Sequence, residues 1–78
     1  MNDETARAQA DTILRQNPNH LLGLILAESA ARMRKDPAAE RSYRARFLTA
    51  APTERAKQLP EYLTHQNDIT MALDAKRP

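Results

Sequence analysis

The chain has 78 residues and a net charge of +2, from 12 Lys and Arg against 10 Asp and Glu. A chain this short forms one domain at most, residues 1–78, and buries only roughly 60% of the surface its unfolded form exposes. Cysteine is absent, which excludes disulfides, thiolate metal sites and cysteine nucleophiles together; the scarcity of aromatics (Tyr43, Phe47, Tyr62) and the single glycine, Gly23, argue against a sheet of hairpins.

The first predicted helix covers residues 3–16. Asn2 or Asp3 can cap it, and Asp3 with Glu4 put negative charge where the helix dipole favours it. Ala6, Ala10, Ile13 and Leu14 recur on one helical face. Asn17-Pro18-Asn19 ends the helix, because the residue before proline is driven out of the helical region. The second helix starts at Asn19 or His20 and runs to about Arg34. It is apolar around nearly all its circumference in its first turns, through Leu21, Leu22, Leu24, Ile25, Leu26 and Ala27, so it is expected to be central.

Asp36-Pro37 opens the third helix as N-cap and first helical residue. Its expected buried stripe is Ala39, Tyr43, Phe47 and Leu48, with Glu40, Arg41, Arg44 and Arg46 outward. Residues 50–53, containing Pro52, read as the next break, with Thr53 as a cap. Residues 53–59 again read as helical. Pro60 then either starts a fresh helix, the favoured reading, or kinks one running to about Ala75. Beyond it Tyr62, Gln66, Ile69 and Leu73 share a face, and the last residues, 76–78, are expected to fray.

Pro18 and Pro52 stand 34 residues apart, and each follows an apolar pair, Ile13-Leu14 and Phe47-Leu48. With that period the sequence resembles tetratricopeptide repeats, which are helix-turn-helix units of 34 residues. The resemblance spans roughly residues 6–53. It implies an all-α fold of antiparallel helical hairpins: a right-handed α-solenoid fragment of four, or five, helices. Residues 3–16 would be the second helix of a partial repeat, residues 20–53 a full repeat, and residues 54–75 a cap over its apolar end. The tryptophan usual in the family is missing, and Lys35-Asp36 replaces the small-residue turn. The chain is also similar in general character to small bacterial members whose repeats follow a membrane anchor. An unrelated helical bundle with the same breaks is the competing reading.

The resemblance implies a non-catalytic module that binds a protein or peptide partner in a groove along the first helix of the repeat. The expected groove residues are Leu21, Leu24, Ile25, Glu28, Ser29 and Arg32. Leu24 or Ile25 and Glu28 or Ser29 stand where carboxylate-gripping members carry lysine and asparagine, which argues against that mode. Core packing is the plainer role for the leucines. The alternative function is structural self-assembly: fewer than three repeats are marginal alone, so a homodimer or an exchanged helix would hide the exposed ends.

Other chemistries find less support. Arg34, Lys35, Arg41, Arg44, Arg46, Arg55 and Lys57 could form a basic face, but Glu40 and Glu54 intervene and the net charge is small, which disfavours nucleic acid. His65 and Asp68 share a helical face, yet two ligands do not make a dedicated metal site. No phosphate-cradling loop or catalytic pairing is present, so no cofactor and no catalytic residue are expected. Residues 1–4 are acidic and no apolar run follows, so no signal peptide is read. The longest apolar stretch, residues 21–27, is too short to span a bilayer. The expectation is a soluble protein, cytoplasmic or the soluble part of a membrane-anchored one.

Overall fold

Apolar residues at helical spacing, with proline and asparagine between them, produce five helices in the computed structural model, which describes residues 3–74. They are α1 (Asp3–Gln16), α2 (Leu21–Met33), α3 (Pro37–Ala56), α4 (Pro60–Thr64) and α5 (Gln66–Asp74). No strand occurs among the described residues, so the fold is all-α. The expected cap of α1 at Asn2 or Asp3, and the tail beyond Asp74, fall outside the described residues and side chains.

α2 is the central element. It packs along α1 on one side and α3 on the other, and α5 also reaches it. Because the connections at residues 17–20 and 34–36 are short, each neighbouring pair forms an antiparallel hairpin. The α1–α2 contact is close at Gly23: a Cβ there would lie 2.8 Å from Ile13 Cγ2 and 2.9 Å from Leu14 Cδ2. Alanines Ala6 and Ala10 of α1 are fully buried at the same seam of small residues.

The turn between α2 and α3 closes with two backbone bonds. Lys35 N–H reaches the Arg32 carbonyl at 3.0 Å and Asp36 N–H reaches that of Ala31 at 2.9 Å. This is a Schellman closure, and it puts Lys35 in the left-handed region at φ 59°. Asp36 then caps α3 as expected, its Oδ1 accepting from Ala39 N–H at 3.1 Å, with Pro37 next.

One expected break does not occur. Pro52 lies inside α3, which continues to Ala56, and Thr53 caps nothing. Proline removes the bond to the Leu48 carbonyl, but Leu48 is 46% exposed, so water can serve that oxygen. The longer helix also moves the buried stripe. It runs through Phe47, Ala50, Ala51 and Glu54, with Tyr43 and Ala39 partly covered, whereas Leu48 faces out. α3 ends instead at Lys57, followed by Gln58 at φ 51°.

Pro60 starts a fresh helix, and Tyr62 and Ile69 from the two C-terminal helices enter the core beside Leu21, Leu24 and Phe47. The single helix expected after Pro60 is interrupted at His65 (φ −108°, ψ 30°), where no proline or glycine marks a break. Gln66 is exposed and Leu73 partly buried. The Cα radius of gyration, 11.7 Å, is close to the ~11.5 Å expected of a compact chain of this length, so the helices close on one core.

Candidate functional site

α2 carries three strips of side chains at helical spacing. Leu21, Leu24, Glu28 and Ala31 form the innermost one, all buried. Leu22, Ile25, Leu26 and Ser29, at relative positions i, i+3, i+4 and i+7, form a second that is only half covered. This strip floors an open furrow of about 690 Å³ between α1 and α5, walled by Gln9 and Ile13 on one side and His65, Asp68, Met71 and Ala72 on the other. Met71 is 70% exposed at its rim. The third strip, Glu28 and Arg32, faces a separate cavity of about 620 Å³ shared with α3.

The expected groove residues therefore divide. Leu21 and Leu24 have no exposed surface and are core. Ile25 and Ser29 line the α1–α5 furrow together. Glu28 and Arg32 line the other cavity, where Arg32 bonds Glu28 at 3.3 Å and Glu40 at 2.9 Å. Burial pushes the Glu28 carboxyl up, against the pull of Arg44 and Arg32, and Glu40 pushes it further. Leu22, Leu26 and Met71 were not singled out as groove residues from the sequence. The i, i+3, i+4, i+7 spacing on α2 was visible, but a helix apolar all round does not say which strip is covered.

A buried polar network ties α3 and α4 to the start of α2. Glu54, 2% exposed, accepts from Asn17 Nδ2 at 3.1 Å and from the Tyr62 hydroxyl at 2.8 Å, and pairs with Lys57 at 2.7 Å. The Tyr62 oxygen in turn accepts from Leu21 N–H at 3.0 Å, satisfying a free donor at the start of α2. Burial raises the Glu54 carboxyl, but the bonds from Lys57, Tyr62 and Asn17 outweigh it and hold it below the usual carboxylate range. Burial also pushes the Tyr62 hydroxyl up to about 12, despite the Leu21 bond and with help from Glu54.

His20 completes the joint. Its Nδ1 accepts from Gly23 N–H at 3.4 Å as the N-cap of α2, and its Nε2 meets Glu61 at 3.0 Å. Its ring stands edge-on to Tyr62 at 5.0 Å. The Glu61 carboxyl is held low, chiefly by the His20 bond. One helix end, one turn and α4 are thus tied to α3 by named side chains.

The arginines mostly serve as clips rather than as an open basic face. Arg44 donates to the Ala72 carbonyl, anchoring α5 to α3, and lies 5.9 Å over the Phe47 ring. Arg46 donates to the Pro18 carbonyl at 3.0 Å and stacks on Tyr43. Arg34 pairs with Asp36 at 3.7 Å. His65 and Asp68 sit 3.1 Å apart on the surface, and no group of three metal-binding side chains converges among the described residues. No helix among the described residues is long and apolar enough to cross a membrane. Compared with known proteins, the chain matches no family model, no curated sequence and no solved structure.

Proposed function

We propose that the protein is a non-catalytic interaction module that receives an amphipathic peptide or helix of a partner protein. The observation that carries this reading is the half-covered strip Leu22, Ile25, Leu26 and Ser29 on the floor of the α1–α5 furrow. A helix-in-groove contact needs an apolar trough with rigid walls, and Leu22, Ile25 and Leu26 with Ile13 and Met71 supply its apolar surface. The polar joint around Glu54 and Tyr62 supports rigidity at one end. The tetratricopeptide resemblance supports the same reading, since α2 would be the groove-lining first helix of the repeat. Of the two prolines that set the 34-residue period, Pro18 lies in a turn, whereas Pro52 lies within a helix.

A second reading, self-assembly, has its own observation: Met33, Leu48, Leu63 and Met71 are large apolar residues between 45% and 70% exposed. The two are separated by selecting helical peptides from a randomised display library on the immobilised protein. Retention should be lost on Ile25→Asp, whose melting temperature falls because Ile25 packs against the core, and equally on the rim variant Met71→Asp, whose melting temperature and helicity stay unchanged. Peptides that bind the Ile25→Asp variant equally well would overturn the furrow. A monomer–dimer equilibrium that the same substitution abolishes would transfer the surface to self-assembly.

A further inference from the structure

The cavity between α2 and α3 is separate from the furrow and differs from it in chemistry. Its α3 wall is a single helical strip: Arg41, Arg44, Ala45 and Leu48 at i, i+3, i+4 and i+7, with Pro37 one turn before. The α2 wall is Glu28 and Arg32, and Glu40 closes one end. Three arginines thus face two glutamates, and one of those, Glu28, is buried with its carboxyl raised.

The three arginines are not equally engaged. Arg32 is held by Glu28 and Glu40, and Arg44 by the Ala72 carbonyl. Arg41 is exposed and makes no hydrogen bond or ion pair among the described residues. The opposite end of the same strip is Leu48, 46% exposed, beside Ala45. Seven residues of helix separate the two, a rise of about 10 Å. The surface is therefore polarised, cationic at the Arg41 end and apolar at the Leu48 end.

We infer that this cavity docks an acidic amphipathic segment of a partner protein, one that carries a carboxylate and a large apolar side chain about two helical turns apart. The carboxylate meets Arg41, and the apolar side chain covers Leu48 and Ala45. Charge complementarity selects such a segment over a basic one, because a lysine brought to Arg41 meets like charge with no carboxylate free to answer it: Glu40 is already committed to Arg32. The inference does not depend on the furrow, which lies on the other flank of α2.

Two synthetic helical peptides test it, one with Glu and Leu seven positions apart and one with Lys in place of Glu. Titration into the whole chain is followed by amide and methyl NMR. The acidic peptide should shift Arg41, Ala45 and Leu48, weaken as salt is raised, and bind about fivefold or more weakly to Arg41→Glu. The Lys peptide should prefer the Arg41→Glu protein over the wild type. Leu48→Asp, at an exposed position, should abolish both interactions without lowering the melting temperature, and Ile25→Asp should leave them intact. Equal binding of the two peptides by the wild type, shifts confined to the furrow, or self-association through Leu48 in the absence of peptide would each overturn the inference.

Discussion

Replacing Glu54 and Glu28 by glutamine, one at a time, asks the same question of two buried carboxylates that the structure treats oppositely. Glu54 takes three donors: Lys57 at 2.7 Å, Tyr62 at 2.8 Å and Asn17 at 3.1 Å. Glutamine keeps the shape but offers an amide NH₂ on one side, so at least one donor then faces a donor. A hydrogen bond to a charged group contributes about 1.5–3 kcal/mol. Lys57 is 48% exposed, so its share is discounted for solvent screening. Losing one bond outright and weakening the others gives about 2–4 kcal/mol. For a chain of this size the total is roughly 4–12 kcal/mol, so the melting temperature should drop by about 10–25 °C.

The pH dependence follows from the direction of each shift. Glu54 is held below its ordinary value of 4.5, so its contribution is present above that value and is lost as pH falls through the lowered folded value. The gap between wild type and Glu54→Gln should therefore be full at neutral pH and close in acid. Glu28 is raised above 4.5, so its contribution is present below 4.5 and lost as pH rises through the raised folded value. Glu28→Gln should then lie within about 1 kcal/mol of wild type at neutral pH, on either side. Urea titrations followed by circular dichroism at several pH values measure both. Equal losses for the two variants, or a Glu54→Gln gap that does not change with pH, would refute the network as described.

Three backbone predictions are read by the same denaturation assay. Lys35→Gly should stabilise the protein by about 1 kcal/mol, because a side chain at φ 59° carries a left-handed strain that glycine lacks. Pro52→Ala should stabilise by about 1–2 kcal/mol: it restores a donor to the Leu48 carbonyl, offset in part by a looser unfolded chain. Gly23→Ala should destabilise by about 1 kcal/mol, since the overlap with Ile13 and Leu14 exceeds the gain in helix propensity. Adding Leu14→Ala to Gly23→Ala should cost less than the two single losses added together.

Much of the frame was legible in the residues. Asp36-Pro37 specified the start of α3, Asn17-Pro18 the end of α1, and Pro60 the start of α4, because capping and proline stereochemistry act locally. The central place of α2 follows from apolar residues around nearly all the circumference of its first turns. At Pro52 the same local rule yields to tertiary packing: Ala50, Ala51 and Glu54 are all held in the core, and that fixes the helix through the proline. Leu48, expected inward, is turned out by the continued stripe.

The candidate site was only partly legible for a related reason. Leu21 and Leu24 could not be told from Leu22 and Ile25 in a segment without a polar face, and only the neighbours α1, α3 and α5 decide which strip stays open. In the Asn17–Glu54–Tyr62 joint the Asn17–Glu54 bond alone bridges 37 positions, and no local spacing announces it. Arg41 differs from Arg44 and Arg46 in that those two reach a backbone carbonyl and lie over an aromatic ring, which are properties of the folded chain.

The role proposed for the half-covered strip of α2 is to receive a partner's helix. Methyl NMR of the protein with a peptide selected on it tests this most directly. Shifts are expected at Leu22, Ile25, Leu26 and Met71, with Leu21 and Leu24, sealed in the core, scarcely moved. Shifts centred on Leu63 or Met33, with the α2 strip silent, would contradict it.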